Sequence, residues 1–359
     1  MFKVKFKRMH HEFEFDFPPP FAQYLIKNTY AYYKKHRGDS VFTWLKTHWH
    51  RTGLTAYITH PDCLQHNMGV GHPECPERLV AIRDQLMASQ IYDSLQEIDA
   101  PEVTEQQLAR VHPPRYVEYI ESNVPSVGTF RVDPDTAMSP GTLKAARRAA
   151  GAVVKAVELV CEDKVPNAFC AIRPPGHHAE SAKSMGFCFF NNIAVGIAHA
   201  LSHYKFERVA IVDFDVHHGN GTEEIFHDDP RVMMVSIFQH PFYPYCGDKP
   251  LGNNMHNVPL RAGSGSAEFR EVVENIWLPQ LHAFQPQILF ISAGFDAHRE
   301  DDMGSLGLVE ADYEWVTRHL VQIADLYCQG RVVSVLEGGY DLSSLGRSVT
   351  AHIRVLSDG

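Results

Sequence analysis

From Thr55 onward, short apolar runs alternate with longer stretches whose apolar residues recur at helical spacing. Runs over Thr55–Thr59, Ala168–Ile172, Val209–Val212, Val232–Phe238, Ile288–Ser292 and Val332–Leu336 read as strands. They are rich in Val, Ile, Leu, Ala and Phe with little polar alternation, as strands covered on both faces are. Helices are predicted over Leu79–Met87, Pro114–Ser122 and Ala145–Val160, from Asn192 to about His203, from Ser264 or Ser266 to Phe284, and over Val309–Cys328. Pro76, Pro114 and Pro140 stand at helix starts, and Gly330 closes the last of these helices. This alternation predicts an α/β fold, a single parallel sheet sandwiched by helices. At 359 residues and 44% hydrophobic content the chain has ample material for a buried core.

Residues 1–54 break the pattern. Over 1–53, 7 Lys and 3 Arg face 2 Glu and 2 Asp, a net of +6 in a chain whose total is −10. Phe13, Phe15 and Phe17 alternate with acids and predict one amphipathic strand. Pro18, Pro19 and Pro20 end it, and an aromatic, basic stretch follows through Trp49. We read 1–54 as an N-terminal extension of unassigned role and 55–359 as one catalytic domain. The alternative is a native start near Thr55, where globular patterning begins.

The net charge of −10 argues against nucleic acid or an anionic membrane as a partner. Seven cysteines at irregular spacing, with no C-x-x-C pair, read as reduced thiols in a cytoplasmic protein. No apolar run is long enough to cross a bilayer. Glu12, Glu14 and Asp16 occupy the place of a signal peptide's apolar core.

The chemistry gathers where strands end. After Val209–Val212, Asp213, Asp215 and His217 alternate with Phe214 and Val216. Side chains two apart on a strand share a face, so these three can converge on a divalent ion such as zinc. Gly219 and Gly221 then turn the backbone. His177 and His178, after two prolines, are candidates for proton transfer, with Asp213 or Asn220 to orient their second ring nitrogens. Asp296 ends another strand, and Asp215, His217 and Asp296 make a three-ligand set with positions left open for water and substrate. Tyr340, after Gly338-Gly339, is a candidate donor to an oxyanion. Phe187, Phe189, Phe190, Phe242 and Tyr243 are candidates for an apolar channel, with Phe189 and Phe190 favoured as core. In open α/β sheets ligands bind beyond the carboxyl ends of the strands, so these clusters are expected on one rim.

In order, Arg173-Pro-Pro-Gly-His-His-Ala-Glu180, Gly186-Phe-Cys-Phe-Phe-Asn-Asn192, Asp213-Phe-Asp-Val-His-His-Gly-Asn-Gly221, Ala293-Gly-Phe-Asp-Ala297 and Glu337-Gly-Gly-Tyr340 resemble the histone deacetylase family in its class II-like and bacterial branch. The resemblance covers about residues 55–355. It implies the arginase/deacetylase fold, a parallel sheet of about eight strands. It implies one catalytic Zn²⁺ on Asp215, His217 and Asp296, and His178 as general base then acid beside His177. Asp213 would stand behind His177, and Asn220 behind His178, where the class I pattern has Asp. Tyr340 would stabilise the oxyanion. Phe187 and Tyr243 would wall a substrate tunnel, with Tyr243 replacing a usual Phe, and Gly186 would offer its carbonyl to the substrate amide. Arg78 resembles the inner-channel arginine. A structural K⁺ on Asp213, Asp215, His217 and Ser236 is implied as well.

The expected activity is zinc-dependent removal of acetyl or other short acyl groups from acyl-lysine or related amines, in a possible homo-oligomer. Three alternatives remain. A two-manganese ureohydrolase would need further ligands. A non-catalytic acyl-amine binding module would leave the histidine pair and Tyr340 without a task. In an acetylpolyamine deacetylase a glutamate can stand at the tunnel mouth. Met303 holds that position here, while Glu300, Asp301 and Asp302 keep that reading open.

Overall fold

The computed structural model describes residues 2–8, 11–17 and 54–358. The chain divides into two units, Met1–Thr52 and Gly53–Gly359. In the first, β1 (Phe2–Arg8) pairs antiparallel with β2 (His11–Phe17), Phe2 opposite Phe17 and Arg8 opposite His11. The single strand expected over Phe13–Phe17 is one arm of a hairpin, and the stretch from Pro18 to Trp49 lies outside the described residues.

In the second unit the strands are β3 (Thr55–Thr59), β4 (Leu95–Asp99), β5 (Phe130–Asp133), β6 (Thr136–Met138), β7 (Asn167–Cys170), β8 (Val209–Asp213), β9 (Val232–Gln239), β10 (Met255–Leu260), β11 (Ile288–Ala293) and β12 (Val332–Leu336). Eight of them form one sheet in the order β10-β9-β8-β11-β12-β7-β3-β4. Every neighbouring pair is parallel. β5 and β6 form a separate hairpin.

The six strands predicted from apolar runs are the six inner ones. The two that were not predicted, β4 and β10, are the edges. In β4, Gln96, Glu97 and Asp99 are exposed, and β10 is fully buried only at Met255 and Leu260. An edge strand has fewer covered faces and so lacks a continuous apolar run. It also tolerates Pro259, which removes a ladder donor.

Helices flank the sheet, the longest being Thr142–Cys161, whose alanines pack close at the core. The predicted helix from Ser266 to Phe284 contains a π-helical turn at Val273–Trp277. Leu342–Asp358 forms a terminal helix that the apolar pattern did not single out.

Chain order fixes where a site can form. β7 lies beside β3, but β8 follows with two places left between, later filled by β11 and β12. The loops leaving β7, β8, β11 and β12 therefore meet at the middle of the sheet's carboxyl edge, where such folds bind ligands.

Candidate active site

β8 ends at Asp213, so Asp215 and His217 are not on a strand as the two-residue spacing suggested. They converge because the following loop is bonded to itself. The Asp215 amide donates to Asp213 Oδ1 (3.1 Å), and the His217 amide to Asp215 Oδ1 (2.8 Å). Two other loops close on it. The Val216 amide donates to Asp296 Oδ1 (2.9 Å), and the Gly338 amide to Asp215 Oδ2 (2.9 Å). Asp215 and Asp296 are fully buried and His217 nearly so.

One ligand atom from each of Asp215, His217 and Asp296 lies within 4.8 Å of the other two. Asp296 Oδ2 is buried and accepts no well-aligned hydrogen bond, its one near partner being His217 Nδ1 at 3.3 Å. Burial and the neighbouring Asp215 charge push the Asp296 carboxyl up to about 7. Two buried carboxylates with one oxygen unsatisfied are costly unless a cation joins them. The donor set, two carboxylates and one imidazole, suits zinc. Among the described residues these three form the one group of three or more such side chains that could hold a metal ion. Glycines make the room. A Cβ at Gly294 would lie 2.0 Å from Asp215 Oδ2, and one at Gly338 1.9 Å from Asp296 Oδ2.

His177 and His178 leave the loop after β7 with ring centroids 4.1 Å apart. His177 Nδ1 is 3.0 Å from Asp213 Oδ2, and His178 Nδ1 is 2.9 Å from Asn220 Oδ1. An amide oxygen there accepts from Nδ1–H, which leaves Nε2 of His178 as the basic nitrogen. Glu337 Oε2 anchors the same strap by accepting the Gly176 and His177 amides (2.7 and 3.1 Å). Burial would lower His177, but Asp215 and Asp213 raise it to about 10. Burial, His177 and His217 hold His178 well below the usual histidine range. The pair thus divides into a cation beside the carboxylates and a neutral base.

Asp135, His178, Gly186, Phe187, His217 and Tyr340 line a cavity of about 270 Å³, closed by Phe242, Tyr243, Asp302 and Met303. The β5–β6 hairpin shapes its wall, Asp135 Oδ1 accepting the Gly186 amide (3.1 Å) and Thr136 Oγ1 the Phe187 amide (3.0 Å). Gly186, at φ +57°, has no space for a side chain, since a Cβ would lie 2.3 Å from His178 Cδ2. Phe187 packs edge-on to Tyr340, Phe242 stacks on His217, and Tyr243 packs edge-on to His178. Phe189 and Phe190 are core residues, as favoured. Ser236, fully buried, pairs in register with Asp213.

Arg78 is fully buried and donates to the carbonyl oxygens of Glu337 (2.5 Å) and Gly339 (2.6 Å). Its guanidinium lies 4.9 Å from the Tyr340 ring centroid. Glu74 ties Arg78 to Arg173, accepting from Arg78 Nη1 (3.2 Å) and Arg173 Nη2 (2.7 Å). The three tunnel-mouth acids part company. Glu300 pairs with Arg347 (2.6 Å), Asp301 turns inward, and only Asp302 faces the cavity. Asp135 and Glu74 were not singled out in the sequence. Glu74 carried one usable signal, its place four residues before Arg78 in the loop that leads into the helix Glu77–Ala88. Asp135 carried none, because its place depends on the hairpin's docking.

The chain matches the histone deacetylase domain over residues 72–356. It is 37% identical to a probable deacetylase of Archaeoglobus fulgidus, covering 80% of this chain and 82% of that protein. It is 35% identical to the histone deacetylase-like amidohydrolase of Pseudomonas aeruginosa, covering 81% and 79%. It spans only 21% of the length of type-2 histone deacetylase 2 of Dictyostelium discoideum, to which it is 35% identical. Among solved structures, the HDA15 HD domain superposes with a TM-score of 0.81 at 35% identity, covering 86% of this chain and 89% of that one.

Proposed function

This chain belongs to the histone deacetylase family, and from that premise we propose that it is a zinc-dependent hydrolase releasing acetyl or other short acyl groups from acyl-lysine or related acylated amines. The observation that carries the reading is that the Asp215, His217 and Asp296 ligand atoms lie within 4.8 Å of one another, with His217 lining the same cavity as His178 and Tyr340.

Zinc held by Asp215, His217 and Asp296 would supply a Lewis acid that polarises the amide carbonyl and acidifies water. His178, neutral and with Nε2 free, takes the proton from the attacking water and later returns it to the leaving amine. His177, held by Asp213, contributes positive charge beside the developing oxyanion. Tyr340 donates its phenol hydrogen to that oxygen. Phe187 and Tyr243 grip the acyl-amine stem, and the close approach of Gly186 to His178 brings its backbone within reach of the substrate amide. A binding module would need neither the histidine pair nor its carboxylate and amide partners. Potassium at Asp213, Asp215, His217 and Ser236 belongs to the same proposal, supported by the buried Ser236 opposite Asp213.

A second substrate reading, an acylated polyamine, is favoured by Asp135 and Asp302, two carboxylates on the cavity lining. They would attract a cationic chain even with Met303 at the expected glutamate position.

The test is a panel of acetyl-lysine peptides, longer acyl-lysines and acetylpolyamines, assayed for free amine with zinc supplied. Asp215→Ala is expected to lose stoichiometric zinc and amide hydrolysis together. A wild-type protein that binds zinc and hydrolyses none of the panel, or a fully active Asp215→Ala, overturns the proposal. Asp302→Asn lowering kcat/KM for acetylpolyamines more than for neutral peptides would select the polyamine reading.

A further inference from the structure

We infer that Asp301 is a positioning residue for Tyr340, its carboxylate clamping the loop that carries the phenol. Asp301 is buried, with 4% of its surface exposed. Its Oδ2 accepts the Tyr340 amide (2.6 Å) and the Asp341 amide (3.0 Å), and its Oδ1 accepts the Met303 amide (2.9 Å). Both oxygens are therefore committed to backbone and neither faces substrate.

The loop needs such an anchor. It begins with Gly338 and Gly339, two residues with the widest conformational choice of any, and Gly339 sits at φ +117°, which side-chain-bearing residues rarely adopt. The opposite side of the same loop is held by Arg78 through the carbonyls of Glu337 and Gly339. An anion thus takes the amides and a cation the carbonyls of a five-residue turn, which fixes its direction as well as its position. The segment presenting Asp301 is itself braced. Arg347 pairs with Glu300, and His298 Nδ1 accepts the Glu300 amide (3.1 Å). Asp301 also lies in the loop that supplies Asp296, so it ties a candidate metal ligand and the candidate oxyanion donor into one unit. Donors aimed at a developing charge act only when their geometry is set in advance.

The activity part of this inference rests on the deacetylase reading of the site, while the clamp itself does not. The experiment compares Asp301→Ala, Asp301→Asn, Tyr340→Phe and the double variant Asp301→Ala/Tyr340→Phe. Asp301→Ala is expected to lower kcat by roughly 10- to 100-fold with KM little changed, and by no more than Tyr340→Phe does. In the Tyr340→Phe background the Asp301→Ala change is expected to cost nothing further, because its effect runs through the missing hydroxyl. Asp301→Asn, which keeps one carbonyl oxygen, should recover part of the loss. Amide hydrogen exchange at Tyr340 and Asp341 should quicken in Asp301→Ala and stay unchanged in Tyr340→Phe.

An equal loss in both backgrounds, or a loss confined to KM, overturns the positioning role. Unchanged exchange at Tyr340 and Asp341 overturns the clamp. If Asp301→Ala does not fold, Asp301→Asn carries both measurements. If the wild-type protein hydrolyses no amide, the deacetylase reading falls while the exchange measurement still decides the clamp.

Discussion

Gly338→Ala is the sharpest single perturbation the site offers. The glycine sits between the two candidate metal carboxylates, and its amide donates to Asp215 Oδ2. A Cβ there would lie 1.9 Å from Asp296 Oδ2 and 2.7 Å from Asp215 Oδ2. Relief to an ordinary contact of roughly 3.5 Å needs about 1.6 Å of movement at Asp296. Metal–ligand distances tolerate only about 0.2 Å. Asp296 cannot yield elsewhere, because its other oxygen accepts the Val216 amide and the residue is fully buried. The methyl therefore ejects a ligand rather than packing beside it. Zinc affinity should fall by at least about 100-fold, the upper range for disturbing even the partners of ligands. Overpacking should cost roughly 1–3 kcal/mol of stability. The assay is zinc per chain after dialysis against a competing chelator, read beside denaturant unfolding and amide hydrolysis. Gly307→Ala is the control, since its nearest neighbour would be 3.5 Å away. A Gly338→Ala protein that holds one zinc at wild-type affinity and turns over normally would refute the ligand geometry.

Tyr340→Phe should lower kcat by roughly 10²- to 10³-fold, as loss of an oxyanion donor does; zinc content should hold, and an undiminished rate would remove the phenol from the reaction. Because burial, His177 and His217 hold His178 well below the histidine range, the acid limb of kcat/KM should fall below pH 6.5. A limb at or above that value contradicts His178 as the neutral base. Chelation should abolish hydrolysis and lower the unfolding midpoint, and zinc should restore both, adding about 2.7 kcal/mol at 100 times its Kd. Thermal scans of chelated and zinc-loaded protein check this. His112 and His352 are buried neutral histidines, lowered by burial to about 4 and about 3. The unfolded chain binds their protons first, so stability is complete above about pH 6.5 and falls as pH drops toward the folded values. At pH 5.5 each should cost about 1.4 kcal/mol, read as the extra stability lost from pH 7.5 to 5.5 by the wild type in urea unfolding relative to His112→Asn or His352→Asn. An equal pH dependence in wild type and variant would mean that the ring is not held neutral in the native state.

The inner strands and the order of the polar motifs were legible in the chain, because a strand buried on both faces must be apolar along its whole length. The histidine pair, the Asp215–His217 alternation, Asp296 and Tyr340 were legible too, since ionisable groups at the end of such a strand have no cheap place to go without a partner. The edges β4 and β10 were not, because a half-covered strand writes no continuous apolar run. Glu300, Asp301 and Asp302 make the same point at the site. They are consecutive acids that sequence treats alike, yet one pairs with Arg347, one caps the amides of Tyr340 and Asp341, and one faces the cavity. Asp135 reaches Gly186 across 51 residues and Arg173 reaches Glu74 across 99. Local pattern decided which segments were buried and which carried charge. Only tertiary packing decided which partner met each charge, because a hydrogen bond is set by distance in space and leaves no period in the sequence.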